Sequence, residues 1–149
     1  HSMRTTPNNS GVFQRALSLS TPGQGMHNIT DSIADVVAES GIDSGLCSIF
    51  VQHTSCSLVI QENADPSARA DLENWLNRLA PENDPQYTHT FEGPDDMPAH
   101  LKAAVTKTSE QIPVIEGQLG LGTWQGLYLW EHRRSSHTRR VIVTILTHA

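Results

Sequence analysis

The chain has 149 residues, of which 37% are hydrophobic, with 10 Lys and Arg against 16 Asp and Glu. This length is typical of a single domain, and the apolar content is too high for a disordered chain. The formal net charge of −6 at pH 7 argues against a nucleic-acid partner, because such proteins need a broad cationic face to displace phosphate counterions. No apolar run reaches the roughly 18 residues that span a bilayer, so we predict a cytoplasmic protein without a membrane partner.

The first residues resemble a cleavage scar, since His1 and Ser2 stand before Met3. We expect residues 1–10 to be a tag remnant and flexible N-terminus, and residues 11–149 to form a single domain. Cys47 and Cys56 have neither the number nor the spacing of a disulfide framework or a zinc ribbon. We interpret both as small buried hydrophobic residues.

The first half of the chain alternates between strand and helix patterns. Period-two alternation predicts a strand over 13–19, and a helix follows from Thr30 or Asp31 to Gly41. Two β-rich runs come next, separated by a Thr-Ser turn, and each has one apolar face that ends in a titratable residue. His53 ends the first of these faces and Glu62 ends the second. Such an ending predicts the rim of a pocket.

The second half contains two further helix patterns and then strands. Asp65 followed by Pro66 predicts a helix start, with one continuous apolar stripe that packs on a sheet. That stripe consists of Ala68, Leu72, Trp75, Leu76 and Leu79. A third helix follows Asp95, and its predicted apolar side carries His100 beside Met97, Leu101, Ala104 and Val105. Strands over 112–115, 123–132 and 141–147, the last two as a hairpin, complete the chain. These elements predict an α+β fold: one compact domain with a mixed or antiparallel sheet and about three helices packed on it.

The densest polar stretch contains two histidines, His89 and His100, eleven residues apart. This spacing matches no helical zinc motif such as His-Glu-x-x-His. A zinc site would therefore need His53 from elsewhere, which gives a three-histidine set with an open fourth position. The alternative for His100 is a core histidine that hydrogen-bonds to a carbonyl group.

Two other segments have side chains or backbone groups suited to ligands. Residues 62–65 offer oxygen ligands for Mg²⁺ or hydrogen bonds for a polar substrate, although Asp65 is explained by helix capping alone. The glycine-rich segment 120–126 offers backbone N–H groups to an anion, but it lacks the Lys and Ser/Thr of a P-loop.

The basic residues of the C-terminal third include a candidate side chain for binding phosphate. Arg139 is in phase with the apolar residues of the last strand, whereas Arg133 and Arg134 fit a solvated hairpin tip. A forked guanidinium is well suited to a phosphate group, so Arg139 is the candidate.

Together these segments resemble the YjbQ-like family, proteins described as secondary thiamine-phosphate synthases. The resemblance rests on the stretches QHTS at 52–55, ENADP at 62–66, His89 with EG at 92–93, DDMPAH at 95–100, GTWQG at 122–126 and EHR at 131–133. It implies a compact α+β domain that assembles as a homotrimer, with polar pockets near subunit boundaries. It also implies a transferase that joins a pyrimidine diphosphate to a thiazole phosphate and releases pyrophosphate. The alternative is a non-enzymatic trimer that binds a metal and a phosphorylated metabolite.

We combine these observations into one predicted site for a phosphorylated small molecule and a divalent metal ion, Zn²⁺ or Mg²⁺. The predicted catalytic residues are Glu62, Asp96 and His100. The predicted substrate-binding residues are Thr54, Ser55, Asn63, Thr123, Trp124, Gln125 and Arg139. The predicted metal ligands are His53, His89 and His100. A hydrolase with Ser55 as nucleophile is a further alternative, but the sequence around Ser55 lacks a nucleophile elbow.

Overall fold

The structure is a computed structural model that describes residues 2–5 and 11–148. The described residues form nine strands and three helices in the order β1 (Ser2–Thr5), β2 (Val12–Thr21), β3 (Gly25–Asn28), α1 (Thr30–Ser40), β4 (Gly45–Val51), β5 (Cys56–Glu62), α2 (Pro66–Leu79), α3 (Asp96–Val105), β6 (Ser109–Ile115), β7 (Gln118–Leu119), β8 (Gln125–Glu131) and β9 (His137–Leu146). These elements confirm the predicted α+β class with three helices.

The strands form two antiparallel sheets. The larger sheet has the order β1-β2-β9-β4-β6-β7, and the smaller has the order β3-β8-β5. The predicted hairpin between the last two strands is wrong, because β8 lies in the smaller sheet and β9 in the larger. Both strands have apolar inner faces, and residues such as Leu129 and Val143 belong to one buried core. Because the inner face of β8 and the inner face of β9 are both buried in this core, the two strands lie opposite each other in different sheets and do not pair side by side.

The main core fills the space between the two sheets and α1. Its α1 residues are Ile33, Val36 and Val37, and the helix ends at Gly41 in the left-handed conformation, as predicted. A second, smaller cluster lies on the other face of β8, where Tyr128 and Trp130 contact Leu76 of α2. Strand β8 is therefore buried on both faces. Cys47 and Cys56 are buried as free thiols, as predicted.

Helix α2 begins as predicted but packs with a narrower face. Asp65 caps it by accepting a hydrogen bond from the Ser67 N–H at 2.9 Å. The predicted apolar stripe of five residues is wider than the face that the helix buries. Trp75 and Leu79 are 52% and 54% exposed, and Leu76 is the only residue of the helix that is fully buried. Because the second cluster is small, it covers only the Leu76 side of the helix.

Helix α3 turns a different face inward from the one predicted. Its buried residues include Asp96, Ala99 and Lys102, whereas Ala104 and Val105 of the predicted apolar side are exposed. Polar contacts explain the difference, because Lys102 donates a hydrogen bond to the Asn77 side chain at 2.5 Å and Asp96 binds several partners described below. Hydrophobic periodicity cannot detect a face that is held by such contacts.

Three strands have no counterpart in the sequence prediction. β3 and β7 are short, and β1 lies inside the segment expected to be a tag remnant and flexible. β1 pairs with β2, with Ser2 opposite Leu17. Residues 1, 6–10 and 149 lie outside the described part, and the predicted domain boundary stays a prediction. No helix among the described residues is both long and apolar enough to cross a bilayer. The cytoplasmic location also stays a prediction.

Candidate metal centre

A cluster of two imidazoles and one carboxylate lies at the start of α3. Asp96 Oδ2 is 2.8 Å from His89 Nε2 and 3.2 Å from His100 Nε2. One possible ligand atom from each residue lies within 4.8 Å of the others. Asp96 is the first residue of α3, and His100 follows one turn later on the same face. His89 comes from the loop between α2 and α3.

The Asp96 carboxylate is oriented by an arginine from the far side. Arg133 donates from Nη1 to Asp96 Oδ1 at 2.7 Å and from Nε to Asp95 Oδ2 at 3.1 Å. Its Nη2 donates to the Glu92 carbonyl at 2.8 Å. Burial alone would raise the pKa of Asp95, but hydrogen bonds from the Arg134 N–H and the Arg133 guanidinium hold that pKa below its usual value. The structure leaves Asp96 Oδ2 facing the two histidines.

Arg133 is a site residue that the sequence reasoning misses, since its position fits a solvated hairpin tip. Its side chain is largely buried between the acidic pair at the start of α3 and the end of β8. The sequence feature that could have indicated Arg133 is the acidic pair Asp95 and Asp96, because two adjacent carboxylates at a helix start need a cation when they are buried.

The ring of His100 is held so that one nitrogen faces the cluster. Its Nδ1 lies 3.0 Å from the Thr54 carbonyl oxygen, which only accepts hydrogen bonds, so Nδ1 carries a proton. In a neutral ring, Nε2 then has a lone pair and faces the carboxylate of Asp96. Two acceptors in contact need either a second proton on the ring or a shared cation. Both the carbonyl-bonded alternative and the ligand prediction for His100 are therefore compatible with this geometry.

His53 lies in the turn that contacts His100, but its ring is held differently. Its Nδ1 accepts hydrogen bonds from the N–H groups of Thr54 at 2.9 Å and Ser55 at 3.3 Å, and it lies 3.1 Å from Ser55 Oγ. The neutral ring therefore carries its proton on Nε2. Burial and the nearby Arg139 charge lower the pKa of His53. The structure brings Asp96, not His53, together with His89 and His100 as a possible ligand set.

Arg139 is in phase with the apolar residues of β9, as predicted, but this phase turns it into the interior. Its side chain is 1% exposed and pairs with Glu131, which is 0% exposed. It also donates to Ser55 Oγ at 3.0 Å. Ser55 is itself buried, so neither Ser55 nor Arg139 is placed to contact a substrate directly.

Five of the predicted site residues lie at the opposite end of the smaller sheet: Glu62, Asn63, Thr123, Trp124 and Gln125. Gln125 and Glu131 are the two ends of β8, and at about 3.4 Å per residue they lie about 20 Å apart. Gln125 pairs with Glu62 of β5, so Glu62 is separated from Asp96 and His100 within one chain. The predicted catalytic set is thus divided.

Local hydrogen bonds occupy most of the groups at this far end. Asn63 donates to the carbonyl groups of Thr123 and Gln125, each at 3.1 Å. Gln125 accepts from the Gly122 N–H at 2.8 Å. These amides close the glycine-rich turn, which leaves Trp124, 65% exposed, as the main group there that is open to a ligand.

Comparisons with known proteins identify the family. The sequence model of the UPF0047 protein YjbQ-like family matches residues 15–148. The chain belongs to the YjbQ-like family. It is 53% identical over 132 residues to the UPF0047 protein sll1880 of Synechocystis sp., which covers 89% of this chain and 90% of that protein. It is 42% identical over 134 residues to the UPF0047 protein YjbQ of Escherichia coli O157:H7, with 89% and 96% coverage.

Solved structures agree with this YjbQ-like assignment. A YjbQ-like protein of unknown function from Sulfolobus solfataricus P2 superimposes with a TM-score of 0.82 at 29% identity, covering 91% of this chain and 96% of that one. A conserved hypothetical protein from Thermus thermophilus gives a TM-score of 0.78 at 37% identity, with 88% and 98% coverage.

These comparisons correct the functional prediction. The matching YjbQ-like proteins carry the name UPF0047, and the Sulfolobus solfataricus protein is described as having no known function. The resemblance to the family is confirmed, but the thiamine-phosphate synthase activity drawn from it has no counterpart in these names. The transferase prediction is therefore wrong, and the function has to be argued from the YjbQ-like site itself.

A cavity of about 370 Å³ opens beside the cluster of His89, Asp96 and His100. His89 belongs to its wall, together with Asp84, Tyr87, Pro94 and Met97. This volume is within the range of small-molecule pockets. A ligand in the cavity would therefore lie next to a metal ion held by His89.

Proposed function

We propose that this YjbQ-like protein binds one Zn²⁺ ion through His89, Asp96 and His100 and uses it for hydrolytic chemistry on a small molecule. The observation that carries the proposal is the position of Asp96 Oδ2 against the Nε2 atoms of both histidines. Two imidazoles and a carboxylate suit Zn²⁺, whereas Mg²⁺ prefers a set of oxygen ligands. Arg133 and the Thr54 carbonyl are the outer partners that such ligands generally have.

The accessibility of the cluster favours a catalytic ion over a structural one. The side chains of His89 and His100 are 47% and 32% exposed. Three protein ligands leave a coordination position open, as catalytic zinc sites do. When bound, the ion would supply a Lewis acid and lower the pKa of a bound water molecule.

A phosphorylated small molecule remains the proposed ligand class. The cavity wall beside His89 has no lysine or arginine among the residues that the structure describes there. A phosphate group in this cavity would therefore depend on the metal ion for its charge neutralisation. The proposal therefore differs from the predicted binding of phosphate by Arg139, because the side chain of Arg139 is buried.

Substitution of a ligand is expected to remove metal binding. Titration of the metal-free protein with ZnCl₂ should show one ion per chain, and His100→Ala or Asp96→Asn should weaken the affinity at least about 100-fold, since each removes a ligand. His137→Ala, which changes a histidine outside the cluster, is the matched control and should retain wild-type affinity. MgCl₂ should bind much more weakly than ZnCl₂. Equal Zn²⁺ affinity in wild type and His100→Ala would contradict the assignment.

The hydrolytic part of the proposal has its own measurement. The Zn²⁺-loaded protein should release phosphate from a panel of small phosphate monoesters, and Asp96→Asn at equal folded concentration should not. Zinc binding without turnover on any member of the panel, or on matched carboxylic esters, would contradict hydrolysis and leave metal binding alone.

We also propose that copies of the chain associate through the exposed side of α2. Trp75 and Leu79 present two large apolar side chains one turn apart, which is typical of an interface. Association would also offer a way for the residues at the far end of one smaller sheet to approach the metal cluster of another copy. The homotrimer itself stays a prediction.

A charge on this side of α2 is expected to dissociate the assembly. Sedimentation velocity should show a single larger species for the wild type and a monomer for Trp75→Glu/Leu79→Glu, because the substitutions bury charge at the interface. Asn74→Glu adds a charge elsewhere on the same helix and should leave the assembly intact. A monomeric wild type would contradict the proposed association.

A further inference from the structure

The interior contains one ion pair that the proposed metal site does not directly use. Arg139 Nε donates to Glu131 Oε1 at 2.8 Å, and Arg139 Nη2 binds Glu131 Oε2. Thr21 Oγ1 donates to Glu131 Oε1 at 2.6 Å, and the Arg133 N–H donates to Oε2 at 3.1 Å. The carboxylate is thus fully surrounded by donors, and the pair joins β2, β8 and β9.

The remaining contacts of Arg139 lead toward the metal cluster. Its Nη2 donates to Ser55 Oγ at 3.0 Å and approaches the Ser55 carbonyl at 3.4 Å. Ser55 is the last residue before β5, in the turn that joins the two sheets. The same turn supplies the Thr54 carbonyl, which accepts from His100 Nδ1 at 3.0 Å. Hydrogen bonds on either side of the covalent link between Ser55 and Thr54 therefore connect Glu131 to a proposed metal ligand.

The turn holds the imidazoles of His53 and His100 in opposite tautomers. Because Arg139 donates to Ser55 Oγ, the hydroxyl proton is free to point at His53 Nδ1, 3.1 Å away, alongside the N–H of Thr54. His53 therefore carries its proton on Nε2, and His100 carries its proton on Nδ1. This pattern turns the lone pair of His100 toward Asp96.

We propose that Arg139 and Glu131 are positioning residues for the metal site. They fix the turn 53–55 through Ser55, so that the Thr54 carbonyl holds His100 in the tautomer and orientation that a metal ligand needs. The inference rests on the proposed function, because it assigns the pair a role in metal binding. The neighbouring inward positions of β9, Val141 and Val143, are apolar, so the core alone gives no reason for an ion pair at this end.

The competing explanation is that the pair only stabilises the fold. A purely structural pair can be exchanged for neutral side chains with little effect on a site that it does not touch. A positioning pair cannot, because the turn loses its anchor even when the protein stays folded. Metal affinity and the ring tautomer of His100, measured on folded protein, therefore distinguish the two roles.

The test uses two variants of the full chain and one matched control. Glu131→Gln/Arg139→Met removes the pair without leaving an unpaired charge, and Ser55→Ala removes only the connecting hydroxyl. Thr21→Val removes a different hydrogen bond to Glu131 and leaves the contact between Arg139 and Ser55 in place. ZnCl₂ affinity is measured by calorimetry, the histidine ring nitrogens of the metal-free protein by ¹⁵N NMR, and folding by thermal denaturation.

Both variants should weaken Zn²⁺ binding about 10- to 100-fold, the range seen when an outer partner of a ligand is lost, and Thr21→Val should stay within about threefold of wild type. The double variant should also lose the single Nδ1–H form of His100. Wild-type affinity and an unchanged ring pattern in both variants would overturn the inference, as would an equal loss of affinity in Thr21→Val. If the double variant does not fold, Ser55→Ala decides by the same criteria.

The measurement separates this inference from the proposed function. If the wild type takes up no Zn²⁺, the metal site is wrong, and the ring nitrogens of the metal-free protein then decide the positioning role alone. A changed His100 tautomer in the variants would support it, and an unchanged tautomer would overturn it.

Discussion

Arg139→Met is expected to lower the free energy of unfolding by about 3–5 kcal/mol, because it leaves the Glu131 carboxylate charged and unpaired in the interior. Burial alone would raise the pKa of Glu131, but hydrogen bonds from Arg139 and Thr21 hold that pKa below its usual value. Without the arginine, the carboxylate must either stay charged without its partner or take up a proton. Both outcomes cost stability at pH 7.

Chemical denaturation of three variants tests this expectation. Glu131→Gln/Arg139→Met should recover most of the loss, since it removes both charges together. Arg140→Met, the same change at the exposed neighbouring position, should cost less than about 1 kcal/mol. A single variant at Arg139 that is as stable as the wild type would show that the buried carboxylate has another source of compensation.

The second large effect is a loss of stability on mild acidification. His132 is buried, its Nε2 lies 2.9 Å from Ser57 Oγ, and burial followed by the Lys102 charge lowers its pKa to about 3. In the unfolded chain the same ring titrates near 6.5, the usual value for histidine. Between these two pH values the unfolded chain binds a proton that the folded protein does not bind, so the free energy of unfolding falls as the pH falls.

From pH 7 to pH 5 this difference amounts to about 2 kcal/mol, at 1.36 kcal/mol for each pKa unit. Urea denaturation at both pH values measures it, with His132→Gln as the control that keeps a polar group for Ser57. The wild type should lose about 2 kcal/mol more than His132→Gln over this interval. An equal loss in both proteins would mean that His132 is not held neutral by its surroundings.

The sequence predicts parts of this fold where local chemistry decides the structure. Asp65 followed by Pro66 marks the start of α2 because capping depends only on neighbouring residues. The inward phase of Arg139 follows from the period of a strand. The separation of β8 and β9 into two sheets is different, because it depends on which apolar faces meet across the core, and no local signal records that choice.

The candidate site is predictable to a similar degree. His89 and His100 stand out because their stretch is polar and rich in titratable residues, whereas the sequence assigns Asp96 to catalysis instead of ligation. His53 ends an apolar strand face, but its ring is oriented by the backbone N–H groups of Thr54 and Ser55, which a strand pattern does not describe. The assignment of Arg139 to phosphate does not anticipate Glu131, because their partnership connects two strands that lie in different sheets.

Two of the segments in which the chain passes from one sheet to the other, the turn before β5 and the segment after β8, contribute contacts to the cluster of His89, Asp96 and His100. The first supplies the Thr54 carbonyl to His100, and the second supplies Arg133 to Asp96. A bound ion would therefore link both segments to the first turn of α3. The two sheets could separate at this end only after the ion is released. Local opening of the ion-bound protein should therefore be slowest at these two segments, which are only loops in the ion-free protein.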